Sequence, residues 1–576
     1  MKKIYSLKMW LVAAMLTIAY SASAYDAVVD GIYYNLNADA ATASVTHDGT
    51  NSETGTYSGE VTVPSEITVD EVKYAVTEIG DMAFANSSGL TSVVIPNSVT
   101  KFGIGAFYFC SALTNPTIPN SVAEIGMYAF FYCTGLTNIE LPSSVTTIGQ
   151  VAFAGCSNLA TITIPNSVAE IGTAAFNGTP FYDSLEDGLV YLGTILYTYK
   201  GEMPENTQIE IKDGTTSIAG GAFQNCYESL ISISLPSTLV KIGTSAFNGC
   251  SELKELEIPN SVVEIGDGAF GGTGLTSITI PKSVEKIGNN PFYSCKKLEK
   301  IIVESENTVY DSRNECNAII ETSTNALVSG CKNTVIPSGV TEICESAFTG
   351  CTGLTSINIP NTVTKIGRSA FSSCHGLSSI TIPNSVTEIA TSTFWNCKNL
   401  ASVTISKSAT SIGEYAFYNC QNLASITIPK SVKTIGASAF DCNSNLSVYV
   451  EWENPADESL TINNSAFSDE VMQTGTLYVP TNTKALYEQT EPWKNFVTIL
   501  EYTVDGIEEI EADGGVAIGV EGGKIVVTGA VNAKVEVFGA NGAALYSGSA
   551  NSLPELAAGI YVVRVGSTVK KVAIAK

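Results

Sequence analysis

The chain has 576 residues, 44% of them hydrophobic, with 30 Lys and Arg against 56 Asp and Glu and a formal net charge of −26. That length exceeds one ordinary globular core, and the apolar content excludes a disordered chain. An acidic body also excludes a nucleic-acid partner, which needs a cationic face for its phosphates; the charge reads as solubility of a long surface protein.

At the start, Lys2, Lys3 and Lys8 form a basic stretch, Leu11 to Ala19 a short apolar run, and Ala22-Ser23-Ala24 fits the small-residue cleavage rule. Residues 1–24 are therefore expected to be a secretory signal peptide, with the mature chain beginning at Tyr25. The apolar run is well short of the roughly 20 residues a membrane span needs, and no later segment reads as a transmembrane helix. Residues 25–64 contain strand-like runs at Val28 to Leu36 and Gly55 to Val63, with Asp48-Gly49 as a turn signal. They are expected to form an N-terminal β cap, since an uncovered first coil would expose a sheet edge.

Residues 65–500 are expected to be a solenoid with its C-terminal cap, because from about residue 60 to about residue 467 one unit keeps returning: Ala-Phe-x-x-Cys-x-x-Leu-x-x-Ile-x-Ile-Pro-x-Ser-Val-x-x-Ile-Gly-x-x. Phe84, Phe107, Phe130, Phe153 and Phe176 are each 23 apart, as are Phe348, Phe371, Phe394, Phe417 and Phe440. Phe223, Phe247, Phe270 and Phe292 lie between them at spacings of 24, 23 and 22. Such a period means a solenoid whose coils bury their apolar faces on one another. Leu-x-x-Ile-x-Ile-Pro is expected to be a strand, with Ile162 and Ile164 inward and Thr161 and Thr163 outward. Proline then ends it, having no N–H for a ladder. Val-x-x-Ile-Gly is a second short apolar segment whose glycine permits a turn, and Ala-Phe-x-x-Cys is one tight turn. Stacked coils of this kind give parallel in-register sheets.

Two insertions break the rhythm. Phe176 to Phe223 spans 47 residues and reads as a variant coil with a hairpin; Phe292 to Phe348 spans 56, with 303–334 polar and irregular. Trp493 and Phe496 suit a C-terminal cap. Residues 501–513 form an acidic linker. Residues 514–576 form a separate small β-sandwich-like module, with strands at 524–528, 534–538, 560–565 and 569–573 and Asn541-Gly542 as a hairpin turn.

There are 14 cysteines. Ten of them, from Cys110 to Cys420, sit three residues after the repeat phenylalanine and so form one column. Equivalent side chains of stacked coils point the same way, so the column is expected to consist of small buried thiols. Cys316, Cys331, Cys344 and Cys442 lie off it, and Cys316 with Cys331 is the best disulfide candidate.

The two histidines, His47 and His375, fall in the cap and in a turn, which leaves no His-dependent triad or His-rich zinc site. Gly266-Asp267-Gly268-Ala269-Phe270-Gly271 spells a nucleotide-binding motif, but Leu275 opens a strand where such a site needs a helix. No catalytic residue, metal or cofactor is expected. Three surface columns remain. Outward Ser and Thr on the strands, such as Thr161, Thr163, Ser379 and Thr381, suit exposed strands, or a hydrogen-bonding face for an extended partner. The residue before Ile-Gly alternates in sign (Lys101, Glu124; Lys241, Glu264, Lys286; Glu342, Lys365, Glu388) and is expected to pair across coils, guarding register. The third column is uneven. Tyr108, Phe109, Tyr128, Phe131 and Tyr132 crowd two adjacent turns, either as a contact patch for protein or sugar or as packing against the cap.

The Ala-Phe, Cys, Leu, Ile-x-Ile-Pro and Ile-Gly positions together resemble the BspA-type leucine-rich repeat of bacterial surface proteins. Pro116, Pro291, Ala390 and Ser406 depart from the pattern locally. The resemblance implies a mostly β leucine-rich-repeat solenoid, export to the cell surface, and an adhesin-like function, recognising a protein or glycan on another cell or matrix; the alternative is a structural cell-envelope component that self-associates. In the last module, Val535-Glu536-Val537-Phe538, Asn541-Gly542, Leu556, Gly559-Ile560-Tyr561-Val562-Val563 and Lys570-Lys571 resemble the sorting domain of the type IX secretion system. That implies contact with the secretion machinery through residues 514–576.

Overall fold

The computed structural model describes residues 25–49, 55–224 and 226–502, and beyond them 517–521, 524–528, 534–539, 544–549, 553, 556, 559–565 and 568–574. The expected signal peptide, most of the linker and the Asn541-Gly542 turn lie outside the described residues. The chain divides into a unit ending at Glu501 and a second beginning at Tyr502.

The first unit is a solenoid organised on its phenylalanines. Phe84, Phe107, Phe130, Phe153 and Phe176 are fully buried. Their rings stack with centroids 5.0–5.8 Å apart and planes within 16° of parallel. The stack from Phe348 runs on through Phe440 to Phe467. There Trp493 and Phe496, both buried, cover the last ring at 5.6 and 5.3 Å.

The continuous ladder is not built where the two-residue alternation is clearest. It runs through the short strands that end at the Ile-Gly isoleucine: 72–79, 101–102, 124–125, 147–148 and 170–171, all parallel. The Leu-x-x-Ile-x-Ile runs pair only in small sheets, such as Asn138–Glu140 with Thr161–Thr163 and Ser277–Ile280 with Lys300–Val303. Residues 114–118, 254–258 and 355–359 form no strand. The expectation of a strand in every coil is therefore corrected. In the first of these segments the reason is Pro116, which has no N–H to donate.

The Ile-Gly glycine also has a different purpose from the turn expected of it. A Cβ on Gly126 would stand 2.5 Å from the Gly103 carbonyl oxygen, and one on Gly149 2.4 Å from the Met127 nitrogen. The residue is glycine because neighbouring backbones touch there, with Gly126 N–H donating to the Phe102 carbonyl at 2.9 Å. Ala219 and Cys344 occupy this position beside hairpin strands, and Asn463 does so in the last, longer coil. Ala390 occupies it between two 23-residue coils, and the ladder is interrupted there, between Lys365–Ile366 and Glu388–Ile389.

The solenoid has three hairpins, one in the cap and two that divide it. In the cap, 32–37 pairs antiparallel with 42–46, and the latter pairs parallel with 72–79, which aligns Tyr34, Val45 and Ile79. The first insertion repeats this arrangement with Tyr191, Leu196 and Ile218. The second repeats it with Ile320, Leu327 and Ile343. Residues 303–334 are thus not irregular: Ala318–Glu321 and Ala326–Gly330 are strands around a short polar turn. Both inserted hairpins are walls with two apolar faces. Ile195 and Tyr197 join the core before the wall and Leu196 the core after it; Ile319 and Ile320 split in the same way. The alternation of a strand places one layer between two cores.

The second unit has a two-stranded antiparallel sheet, Ala517–Glu521 with Lys524–Thr528. It also has a four-stranded antiparallel sheet, ordered Ala544–Ser549, Lys534–Gly539, Gly559–Val565, Thr568–Ile574. Ile525, Val535, Val537, Tyr561, Val563 and Val565 form its core.

A candidate binding face on the turns

The Ala-Phe-x-x-Cys segment turns by alternating hand. Two residues before and two after the repeat phenylalanine the backbone is left-handed: Tyr128 (φ 59°) and Tyr132 (φ 55°) around Phe130, Ser369 (φ 54°) and Ser373 (φ 56°) around Phe371. Successive turns are tied together by backbone bonds, such as Phe107 N–H to the Ala129 carbonyl at 2.7 Å and Phe109 N–H to the Phe131 carbonyl at 2.8 Å. The cysteine closes the turn from inside. Cys110 Sγ donates to the Phe84 carbonyl at 3.0 Å, Cys133 to Phe107 at 2.9 Å and Cys374 to Phe348 at 3.1 Å. The column is thus hydrogen-bonded as well as buried, which repeat spacing alone does not show. Burial pushes the thiols of Cys156 and Cys397 up to about 12, and those of Cys133 and Cys374 well above the usual thiol value.

The described cysteines are free, Cys316 and Cys331 included, so the disulfide considered for that pair is corrected. The wall explains why: Cys316 belongs to the core after the second hairpin and Cys331 to the core before it.

The five aromatic candidates come together on two adjacent turns. Tyr108 stacks on Phe131 at 5.2 Å and Phe109 on Tyr132 at 5.0 Å, while Tyr128 meets both Tyr108 and Phe131 edge-on. Tyr132 also lies over Gly155, whose Cβ would meet its ring at 2.6 Å. These ring partners lie within the patch and the turn column, not in the cap. Phe109 is 38% exposed and the other four are half-buried. Burial raises the Tyr108 and Tyr128 phenols above their ordinary value. Phe109, Tyr128 and Tyr132 hold left-handed backbone; other coils carry Gly155, Gly249 or Gly350 at the position of Phe109 and Tyr132, and Val151, Ser245 or Ser346 at that of Tyr128. A left-handed conformation costs a residue with a Cβ roughly 1–2 kcal/mol.

A second aromatic group occupies the same face and was missed in the sequence. Trp395 and Tyr418 are parallel at 6.4 Å, and Tyr415 meets Tyr418 edge-on at 5.7 Å. Trp395 is 37% and Tyr415 41% exposed. These are the positions of Tyr108, Phe131 and Tyr128 in the first group, so alignment of the turns on their phenylalanines is the signal that would have revealed them.

The charged column pairs in register: Lys101–Glu124 at 3.3 Å, Lys241–Glu264 at 3.2 Å, Lys286–Glu264 at 2.8 Å and Lys365–Glu342 at 2.7 Å. Outward Thr161, Thr163, Ser379 and Thr381 are exposed on their strands. The nucleotide-like run 266–271 lies in a turn, with Gly268 at φ 55° and the Tyr293 ring against Gly271, and Ser277–Ile280 follows as a strand. Among the described residues, no three His, Cys, Asp or Glu side chains converge in a group able to hold a metal. No described helix is long and apolar enough to cross a membrane.

The pattern of the BspA type leucine-rich repeat region matches residues 65–182, 197–316 and 319–447 in six copies. No curated protein matches. Several solved structures are similar. A leucine-rich cell surface protein from Faecalibacterium prausnitzii is 27% identical, covering 83% of this chain and 98% of its own, with a TM-score of 0.34. A leucine-rich repeat protein from Bacteroides ovatus is 31% identical over 71% of this chain and 95% of its own, with a TM-score of 0.28. The pneumococcal vaccine antigen PcpA is 17% identical over 84% and 100%, with a TM-score of 0.42.

Proposed function

The chain belongs to the BspA-type leucine-rich repeat family, and we propose that it is an exported, surface-displayed member that binds a protein partner through the aromatic turns at 108–109 and 131–132, without catalysis. The observation that carries this reading is the cluster of five part-exposed rings, stacked and edge-on, across two adjacent turns. Most coils place small or polar residues after the repeat phenylalanine, such as Ala154-Gly155 and Ser372-Ser373, and part-exposed rings clustered in their place mark a contact surface. Large rings clustered on neighbouring coils suit the centre of a protein interface.

Residues 1–24 direct export in this reading, and residues 514–576 act as a type IX sorting module. The second assignment is supported by the motif residues Val535, Val537, Tyr561 and Val563, which lie in the core of an antiparallel unit. Deleting 514–576 should trap the protein inside the cell envelope; undiminished surface display would refute the sorting role. For the patch, the full mature chain and its Tyr108/Phe109/Phe131/Tyr132→Ala variant are compared in pull-downs on matrix proteins. Capture lost in the variant supports the interface, and equal capture by both removes it. If no protein is captured and the chain assembles with concentration, the self-associating envelope role replaces this reading.

A further inference from the structure

We infer that the turns around Trp395 and Tyr418 form a second binding site, one that takes a neutral polysaccharide. The turn positions are those of the first aromatic group, but the chemistry differs. Two residues after the repeat phenylalanine, the first group carries Phe109 and Tyr132, whereas this one carries Asn396 and Asn419. Both asparagines are left-handed, at φ 60° and 58°.

The asparagines anchor a polar line across three coils. Asn396 Nδ2 lies 3.1 Å from His375 Nε2, Asn419 Nδ2 donates to Asn396 Oδ1 at 2.7 Å, and Gln421 Nε2 donates to Asn419 Oδ1 at 3.0 Å. Asn396 Nδ2 also donates to Ser373 Oγ at 3.2 Å, which occupies its second proton; the Asn419 and Gln421 amide nitrogens keep a second proton and the amide oxygens a second lone pair, so the line offers both donors and acceptors at its surface. Beside it, Trp395 and Tyr418 continue the adjacent column as parallel rings 6.4 Å apart. Two successive coils therefore each present a ring and an amide side by side, Trp395 with Asn396 and Tyr418 with Asn419.

That combination matches a sugar. A pyranose has C–H faces that pack on aromatic rings and a rim of hydroxyls that both donate and accept. The core rings beneath step by 5.4–5.5 Å from coil to coil, a distance comparable to one hexose in an extended chain, so a polysaccharide laid across the turns meets the same pair of groups at two successive residues.

The line itself consists of amides and an imidazole, and His375 is kept toward its neutral form by burial and by the charges of Lys398 and Lys296. Around it stand two cations, Lys398 and Lys296, and the exposed Glu414. The hydrogen-bonding groups of the line are themselves uncharged, which suits neutral hydroxyls rather than a phosphate or a uronic-acid polymer. It also differs from the all-aromatic first group, which offers only phenol hydroxyls as polar contacts and suits a protein surface.

The test is affinity electrophoresis of the full mature chain in gels containing cellulose derivatives, laminarin, mannan, xylan or, as the acidic comparison, polygalacturonate, with calorimetry on the matching oligosaccharides. The decisive variant is Asn396→Gly/Asn419→Gly. It removes both amides at positions where other turns carry glycine, such as Gly350 at φ 71°, so the fold tolerates it. Trp395→Ala is the second variant, and unchanged thermal midpoints verify folding in both. Retention by at least one neutral polysaccharide is expected, weakened about tenfold or more in each variant. It should be unaltered in the Tyr108/Phe109/Phe131/Tyr132→Ala variant, so failure here and failure of the protein-binding patch read separately. The inference is overturned if wild type retains no neutral polysaccharide, if only polygalacturonate slows it, or if retention survives in both second-site variants.

Discussion

Two phenylalanines two residues apart have opposite meanings. Phe107 lies in the ring stack, fully buried, and its truncation to alanine should cost about 3–5 kcal/mol. Phe109 is part-exposed and left-handed. Removing its ring forfeits about 0.5–1.5 kcal/mol of aromatic pairing, while relief of the backbone returns about 1–2 kcal/mol, but only if the replacement is glycine. Phe109→Gly should therefore be about 1 kcal/mol more stable than Phe109→Ala, the reverse of the usual order for this pair. Urea denaturation of the three variants measures it, and an alanine variant at least as stable as the glycine variant would show that the turn is unstrained. Repeat spacing placed both residues in the turn; the hand of the backbone, which decides their roles, depends on the bonds that tie Phe109 to the next coil.

At the level of the coil, contact between backbones sets the tolerance for side chains. Gly126→Ala should cost about 1–3 kcal/mol by forcing its coil off Gly103. Ala390→Gly should let the ladder close between 365–366 and 388–389, read as slower hydrogen exchange at Ile389 and residue 390. Unchanged exchange there would mean that the methyl group does not cause the gap. The hairpin walls give a second outcome at this scale. Ile319→Ala and Ile320→Ala each open a cavity worth about 2–4 kcal/mol, but on opposite faces. Exchange should quicken mainly in 217–303 for the first and in 343–440 for the second. Identical exchange maps would contradict the wall. The walls were hard to read from sequence because Ala318-Ile319-Ile320 and Ala326-Leu327-Val328 are short, and a run apolar on both faces shows no alternation of polar and apolar residues.

For the whole solenoid, the cysteine column makes stability depend on alkaline pH. A thiol in the unfolded chain ionises near pH 8.5, whereas Cys156, Cys226, Cys351 and Cys397 stay protonated up to about 12. Above the unfolded value the native state holds more protons than the unfolded state, so stability falls as pH rises. The thiol contribution is fully present below about pH 8.5 and is lost up to about pH 12, at about 1.4 kcal/mol per thiol per pH unit within that window. Urea midpoints should fall steeply above about pH 9, and less steeply in Cys156→Ala/Cys397→Ala; equal slopes would show that the thiols are not coupled to folding. Unfolded without reductant, the chain should titrate 14 free thiols, and the native chain almost none.

The sequence by itself determined the period, the inward columns and the alternating charges, because each follows from one coil being stacked on a copy of itself. The aromatic patch at 108–132 was visible because it breaks that uniformity. Three features were decided only in the tertiary structure: which segment carries the continuous ladder, that each hairpin wall divides two cores, and that two left-handed positions recur in every 23-residue coil. Each depends on the distance between backbones far apart in sequence, where Gly126 meets Gly103 or Asn419 meets Asn396, and no periodicity of residue types records that distance.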